Sequence, residues 1–363
     1  MSDREINIAL LPGDGIGPEI TRSAVAVLDA AAGQHGLQLR YTTHEAGAEF
    51  YRRSGVGISS EVLDELGKAD AMLFGAMGLP DVRQEDGREV TPQLELREHF
   101  QLFASIRPIQ QFDGIPRTLR SGNVSMEVIR ETSEGLFAHR NDPIVVPDQS
   151  VTDRLTITRA TSERLFDLAF HRAKKRRAAG SQGKVTLLDK SNALPSFVFL
   201  RKIFDEVAVR HPEITAERLY VDSASMLMIL DPDRFDVVVT ENLLGDIVSE
   251  LAAGLIGGIG LSPSAEVGVA HALFQPCHGS APDLVGRGVA NPLATVLSAA
   301  MLLDWVGQRR GDDRAIAAAT AINAAVVAVI RQGPHTPDLG GTDSTEDVTQ
   351  AVISQLSPEL ARV

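Results

Sequence analysis

Short apolar and β-branched runs alternate along the chain with longer amphipathic stretches. Runs that predict strands lie at residues 6–11, 37–43, 71–74, 185–188, 218–221 and 235–239. Pro18 opens an amphipathic helix after the first run, and apolar residues at helical spacing from Phe197 to Val207 predict another helix after the fourth. This alternation predicts an α/β fold.

Residues 131–160 break the alternation. The segment has few helix signals and several Pro, Asp and Thr residues, so we expect an extended arm or insertion there. The chain has 363 residues, more than one hydrophobic core usually serves, which predicts two domains. Because no internal repeat or low-complexity linker separates two halves, we expect interwoven domains rather than consecutive ones.

Composition and charge exclude several classes of partner. Hydrophobic residues make up 44% of the chain and charged residues 23%, an ordinary mixture for a soluble globular protein. The formal net charge of -13 argues against nucleic-acid and anionic-membrane partners. The apolar run at 315–330 is too short to span a bilayer, and no signal or transit pattern opens the sequence, so a cytoplasmic protein is expected. Cys277 is the single cysteine, which argues against disulfide and cysteine-zinc chemistry.

A glycine-rich loop, residues 13–17, follows the first predicted strand and precedes a helix. Its spacing is GxGxG rather than GxGxxG, and no acidic residue closes a second strand about 20 residues later. The loop therefore does not match a Rossmann dinucleotide fingerprint. Its glycines suit a tight turn at least as well as a phosphate cradle.

Three carboxylates are candidate metal ligands. Asp246 and Glu250 lie four residues apart among apolar neighbours, so they project from one helix face. Asp222 follows the predicted strand at 218–221, where ligand sites form in open α/β sheets. Together they would suit Mg²⁺ or Mn²⁺ rather than zinc. The alternative, solvent-exposed helix acids, is the commoner fate of such residues.

Four cations are candidates for holding an acidic substrate. Arg97, Arg107 and Arg130 carry the planar guanidinium that binds carboxylates in a bidentate manner. Lys190 follows the predicted strand at 185–188, where a lysine beside a metal could act as a base. Taken individually, each is better explained as a surface cation.

The ordered motifs of the chain resemble those of the metal-dependent β-decarboxylating dehydrogenases, the isocitrate/isopropylmalate dehydrogenase family. The resemblance rests on LLPGDGIGPEI (10–20), the LREHFQLFASIRP-type segment ending at 108, IRETSEG (129–135), DKSNAL (189–194), YVDSASM (220–226), FDVVVTENLLGDIVSEL (235–251), QPCHGSAPDLVGRGVANP (275–292) and PDLGGTDST (337–345). These motifs run in family order over nearly the whole length, which makes the match far more specific than any one of them.

The resemblance implies an architecture of two interleaved α/β domains that is not a Rossmann fold. Residues 1–103 with 257–363 would form the cofactor-binding domain. Residues 104–256 would form the metal, substrate and dimerisation domain, with its arm building a homodimer. Lys190 and Asp222 would then reach into the cleft of the other subunit.

The resemblance also implies oxidation of a 2-hydroxy acid at C2, followed by loss of CO2 from C3. Arg97, Arg107 and Arg130 would bind the substrate carboxylates, and Lys190 would take the hydroxyl proton. Asp222, Asp246 and Glu250 would hold Mg²⁺ or Mn²⁺, which would polarise the C2 oxygen. The cofactor residues implied are Asn192, His278, Gly279, Ser280, Ala281, Asp283, Asn291 and Asp338. The carboxylate of Asp283 would accept ribose hydroxyls and repel a 2′-phosphate, which favours NAD.

Three positions depart from the family pattern. Phe137 replaces the catalytic Tyr that donates a proton to the enol carbon, a role that His139 or water could fill instead. Glu250 stands where the last metal carboxylate is usually Asp. Gln275 stands where isopropylmalate dehydrogenases commonly carry Glu.

The residues before Arg97 bear on substrate choice. Isopropylmalate enzymes usually present two leucines there, whereas this chain has Gln93 and Leu94, with Thr91 preceding them. Gln93 corresponds to the polar residue that isocitrate dehydrogenases use on the extra carboxylate. A 3-substituted malate-type acid of some polar character is therefore favoured, with D-malate and tartrate open. A catalytically impaired regulatory subunit, or a dehydrogenase that stops at the keto acid, are the alternatives.

Overall fold

Ten strands form one continuous twisted sheet in the computed structural model, which describes residues 5–116, 118–119 and 122–356. The described residues contain twelve strands, of which β6 and β7 form a separate pair: β1 Ile6–Gly13, β2 Leu39–Thr43, β3 Ala71–Ala76, β4 Ala104–Gln110, β5 Ser125–Glu131, β6 Ile144–Val146, β7 Ser150–Thr152, β8 Lys184–Asp189, β9 Thr215–Tyr220, β10 Val237–Thr240, β11 Pro263–Val267 and β12 Ala272–Pro276. The helices are α1 Gly17–His35, α2 Ala48–Ser54, α3 Ser60–Leu66, α4 Pro92–His99, α5 Arg159–Ala178, α6 Pro195–Ala208, α7 Val221–Leu230, α8 Asn242–Leu255, α9 Leu293–Arg310, α10 Asp313–Gln332 and α11 Thr345–Leu356. The α/β class predicted from the alternation is confirmed.

The strand order of the large sheet is β2-β1-β3-β12-β11-β4-β5-β10-β8-β9. Pairing is parallel from β2 to β12 and again from β5 to β9, and it is antiparallel where β11 and β4 join the two groups. The inner strands of the parallel groups, β1, β3, β8 and β10, are mostly buried, whereas the outer strands β2 and β9 are largely accessible. The antiparallel centre is the seam of the sheet.

Strands from the two predicted domains occupy separate halves of the sheet. The half that ends at β11 comes from residues 6–76 and 263–276, and the half that begins at β4 comes from residues 104–240. The chain therefore crosses the seam twice. This distribution supports the interleaved division at 103/104 and 256/257, which stays a prediction.

The segment predicted as an arm, residues 131–160, differs from the rest of the fold, and its role in dimerisation stays a prediction. Residues 131–160 contain the small antiparallel pair β6–β7, whose residues are exposed, but α5 already begins at Arg159. The strand predicted at 218–221 ends at Tyr220, because Val221 opens the first turn of α7. The other five predicted strands occur with shifts of a few residues at their ends.

The apolar run at 315–330, which was expected to be too short to span a bilayer, lies within the longer helix α10. The helix extends to 20 residues because Asp312 caps its start, and by length and composition alone it could cross a membrane. One face of α10 is nevertheless buried against the protein, where Ile322, Val326 and Val329 join the main core. This burial is typical of a core helix, and it is the one apolar helix of that length among the described residues.

The glycine loop packs against the loop at residues 278–283. Gly15 has a left-handed φ of +59°, and a Cβ atom there would lie 2.1 Å from the carbonyl oxygen of Ser280. The Ile16 amide donates to the same oxygen at 2.8 Å. Asp14 is buried beside it and accepts hydrogen bonds from the amides of Ala48 and Gly78. The loop is thus a turn that allows close backbone approach.

We predict that Gly15→Ala destabilises the protein by about 2 kcal/mol or more, because the methyl group both collides with Ser280 and disfavours the left-handed backbone. Urea denaturation would measure the change. Gly33→Ala in α1 is the matched control, since nothing lies within 4 Å of its added Cβ. Equal stabilities of the two variants would contradict the close approach.

Candidate active site

A cavity of about 450 Å³ opens on one face of the seam. Helix α4, strands β4, β5 and β12, and helix α8 each contribute residues to its wall. The predicted site residues that line it are Gln93, Leu94, Arg97, Arg107, Arg130, Phe137, Asp246, Glu250, His278 and Gly279. Residues far apart in the chain, from both halves of the sheet, therefore meet in one place.

Local structure explains how the side chains reach the cavity. Pro92 is preorganised for the first turn of α4, which sets Gln93 and Arg97 four residues apart on one helix face. Helix α8 begins at Asn242, where the Glu241 side chain accepts a hydrogen bond from the Leu244 amide. That register turns Asp246 and Glu250 toward the cavity.

Arg107 and Arg130 are buried and paired with the carboxylates of α8. Arg107 donates to the hydroxyl of Ser249 at 2.6 Å and lies 3.5 Å from both Asp246 and Glu250. Arg130 donates to Asp246 through Nη1, and through Nε to Asn242 at 3.0 Å. The candidate substrate arginines and the candidate metal carboxylates are therefore ion-paired with each other.

Arg97 has a different carboxylate partner, Glu266, which the sequence analysis missed. Nε and Nη2 of Arg97 donate to the two carboxylate oxygens at 2.6 and 2.8 Å. Gln275 adds a third hydrogen bond, from Nε2 to Oε1 of Glu266, at 3.0 Å. The available signal was an acidic residue inside the otherwise apolar and small-residue strand at 263–267, which is unusual for a buried strand.

Burial and neighbouring charge shift the pKa values of these groups. Burial, together with nearby Arg97, lowers the pKa of Arg130 to about 9, which leaves it cationic at neutral pH. Burial raises the pKa of Glu250, and the charge of Asp246 adds to that effect while Arg107 opposes it. Burial alone would raise the pKa of Glu266, but the adjacent Arg97 holds that pKa below its ordinary value.

Phe137 lines the cavity beside Arg130. The guanidinium carbon of Arg130 lies 5.6 Å from the centre of the Phe137 ring, a cation–π geometry. His139, considered above as a substitute proton donor, instead meets the hydroxyl of Thr156 through Nε2 at 2.8 Å and does not line the cavity. Within one chain, His139 is therefore not placed to replace the family Tyr.

Lys190 and Asp222 do not line the cavity. They pair with each other at 3.0 Å, and their side chains are 34% and 63% exposed. The hydrogen bond from Lys190 lowers the pKa of Asp222. Within residues 5–356, as far as they are described, no three His, Cys, Asp or Glu side chains converge as a metal site. The predicted trio of metal carboxylates is therefore not assembled by one chain.

The candidate cofactor residues do not all lie in one place: His278 and Gly279 line the cavity, and Ser280, Ala281 and Asp283 follow them in the same loop. The Ser280 hydroxyl donates to the Gly78 carbonyl, and Asn291 donates to Asp338 at 2.9 Å. Ala281 has a left-handed φ of 39°, and Asp283 follows it in an exposed turn. Asn192 is exposed in the turn before α6 and does not line the cavity.

Two groups at the cavity wall are neutral at physiological pH. Burial raises the pKa of the Cys277 thiol to about 11. Burial also lowers the pKa of His278, whose Nδ1 faces the Gly279 carbonyl at 3.0 Å. Cys277 is therefore a protonated, partly buried thiol at the cavity wall.

Comparison with known proteins agrees with these motifs and this geometry. The sequence profile of the isocitrate/isopropylmalate dehydrogenase family matches residues 7–352. A 3-isopropylmalate/3-methylmalate dehydrogenase of Methanocaldococcus jannaschii is 38% identical over 97% of this chain and 99% of the relative. An isocitrate/homoisocitrate dehydrogenase of Thermus thermophilus is 39% identical over 96% of this chain and 98% of the relative.

The structure of the chain is also similar to that of a solved relative. The crystal structure of an isocitrate dehydrogenase from Methylococcus capsulatus superposes with a TM-score of 0.86 at 35% identity, covering 97% of this chain and 99% of the other. Sequence and structure therefore agree over almost the whole length of both chains. The chain belongs to the isocitrate/isopropylmalate dehydrogenase family and is a decarboxylating hydroxy-acid dehydrogenase.

Proposed function

We propose that this enzyme uses NAD and Mg²⁺ or Mn²⁺ to oxidise and decarboxylate a 3-substituted (R)-malate-type acid. The observation that carries the proposal is the meeting of three buried arginines with two acidic side chains around one cavity. Arginines bind carboxylates in a fixed planar geometry, and buried ones do so with little competition from water. A substrate with at least two carboxylates fits this set.

Asp246 and Glu250, with Asp222 of a second copy, would hold the divalent cation. Their oxygens are the hard donors that Mg²⁺ and Mn²⁺ prefer, and the side chains of the first two remain 39% and 46% exposed at the cavity. When bound, the cation would polarise the substrate hydroxyl and stabilise negative charge on its oxygen. Arg107 and Arg130 would then exchange the α8 carboxylates for those of the substrate.

A homodimer would complete the site. Exposed apolar side chains cluster on α7 and α8, on the same helices as the candidate metal ligands, and on the arm. They are Met226, Ile229, Leu230 and Ile247 on the helices and Ile144, Val145, Val146 and Val151 on the arm. Apolar surface of this extent favours association. In such a dimer Lys190 and Asp222 would serve the cavity of the other chain, where Lys190 would accept the hydroxyl proton.

The cofactor proposal rests on the loop at 278–283. The exposed carboxylate of Asp283 is suited to ribose hydroxyls and would repel a 2′-phosphate, which favours NAD over NADP. The loop is held by its contacts with the glycine loop and with Gly78. Its position beside the cavity supports hydride transfer from a substrate bound there.

The substrate's 3-substituent would meet Gln93 and Leu94. Oε1 of Gln93 is buried and has no hydrogen-bond partner among the described residues, so a ligand with a polar group would satisfy that side chain. Leu94 offers apolar contact beside it. The relatives' names span methylmalate, isopropylmalate, isocitrate and homoisocitrate, all malates differing at this substituent. D-malate and tartrate, which lack a carbon substituent there, are the second candidates.

We expect NADH formation with Mn²⁺ from at least one of isocitrate, isopropylmalate, D-malate and tartrate, with an equal amount of CO2. Added EDTA should abolish it, because it removes the cation that would polarise the substrate hydroxyl. NADP at the same concentration is the matched control and should react at least about tenfold more slowly. Folded protein that turns over none of the four acids would favour a regulatory subunit, and NADH without CO2 would favour an enzyme that stops at the keto acid.

We expect Phe137→Tyr to raise kcat by about tenfold or more, because its hydroxyl would supply a proton donor inside the cavity. Stopped-flow measurement of NADH formation and CO2 release would show that the gain lies in the steps after hydride transfer. Phe137→Leu is the control, because it changes the packing against Arg130 without adding a hydroxyl group. An unchanged kcat in the Tyr variant would show that another donor already protonates C3.

Subunit complementation tests the shared site. Lys190→Met and Arg107→Met homodimers should both be inactive. A heterodimer of the two, purified through different tags, contains one intact site and should show about half of the wild-type activity. An inactive heterodimer that melts like the wild type would place both residues in the site of their own chain.

A further inference from the structure

Glu266 is a fully buried carboxylate whose two oxygens both accept hydrogen bonds from Arg97. It lies on β11, on the face of the seam that carries the cavity, while Arg97 comes from α4. Isolated burial of either charge would be unfavourable, and the bidentate pair offsets that cost. The pair therefore fixes the orientation of the Arg97 guanidinium before any ligand binds.

Glu266 contacts only one side of the Arg97 guanidinium, which leaves its other end for a ligand. Nε and Nη2 face Glu266, so the Nη1 end is the part of the guanidinium not engaged with that carboxylate. Arg97 itself lines the cavity, whereas Glu266 does not. Glu266 thus acts on a ligand only through Arg97.

Gln275 on β12 is the second residue that holds the Glu266 carboxylate. Its Nε2 donates to the same oxygen, Oε1, that accepts from Arg97. A carboxylate at position 275 would meet Glu266 with like charge at hydrogen-bonding distance. The amide instead supports the carboxylate of Glu266.

We propose that Glu266 is the positioning residue for Arg97, with Gln275 as the hydrogen-bond donor that supports its carboxylate. This inference rests on the proposed function and deepens it. It assigns the fixed orientation of one substrate-binding arginine to a carboxylate that does not line the cavity, supported by Gln275, which does. A purely structural pair, tying α4 to β11, is the competing explanation.

Three variants separate the two explanations: Glu266→Gln, Gln275→Glu and the double exchange of both. Their binding of D-malate, the part that all the candidate substrates share, is measured calorimetrically with Mn²⁺ and without NAD, beside kcat and KM for the best substrate. We expect Glu266→Gln to weaken binding and raise KM by about tenfold, with a smaller change in kcat. Gln275→Glu should weaken binding increasingly as pH rises, because two adjacent carboxylates cannot both ionise easily.

The double exchange is the decisive variant, because it restores one carboxylate and one amide at the same place. We expect its affinity and KM to return to within about threefold of the wild type. Wild-type affinity in folded Glu266→Gln, or a folded double variant that binds no better than the single one, would overturn the inference. If Glu266→Gln fails to fold, the double variant decides alone.

The wild-type protein separates this test from that of the proposed function. D-malate binding that is normal in the wild type and changes among the variants supports the positioning role even where turnover is slow. A wild-type protein that neither binds D-malate nor forms NADH overturns the proposed function and the positioning role with it. If the wild type turns over normally and all the variants bind D-malate as the wild type does, only the positioning role is overturned.

Discussion

The burial of three arginines beside one cavity is the constraint on which the site depends. A buried cation is tolerated only where a carboxylate or a dense set of acceptors compensates it. Arg97 is compensated by Glu266, and Arg107 and Arg130 by the carboxylates of α8. The cavity of this acidic chain is therefore charge-balanced before any ligand enters, rather than a simple positive cleft.

The carboxylates that compensate these arginines differ in whether a ligand in the cavity can reach them. Glu266 is fully buried and hydrogen-bonded on both oxygens, so its charge stays with Arg97. Asp246 and Glu250 face the cavity with about two-fifths or more of their side chains exposed, at 39% and 46%. They are therefore accessible from the cavity, and under the proposed function a divalent cation would bind them and leave Arg107 and Arg130 for an anionic substrate. The Arg97–Glu266 pair, by contrast, is part of the buried scaffold.

The sequence predicted much of this arrangement where the information is local. The helical spacing of Asp246 and Glu250 was sufficient to place them on one face, and the ordered motifs brought them together with Arg97. The Arg97–Glu266 pair could not be predicted, because its members are 169 residues apart and no motif includes the second. One chain does not bring Lys190 and Asp222 to the cavity. Their place in the site of a second copy was implied by the resemblance alone, and it stays a proposal.

The antiparallel pairing of β4 with β11 at the seam determines which side chains of these two strands face the cavity. Its register pairs Ala265 with Ile106, so that their neighbours Glu266 and Arg107 project to the cavity face. Ile106 and Ala265 themselves line a separate cavity of about 420 Å³ on the opposite face. Because side chains alternate along a strand, a slip of one residue would bury charges in that apolar face. The same packing that forms the core on one side therefore fixes which charges meet on the other.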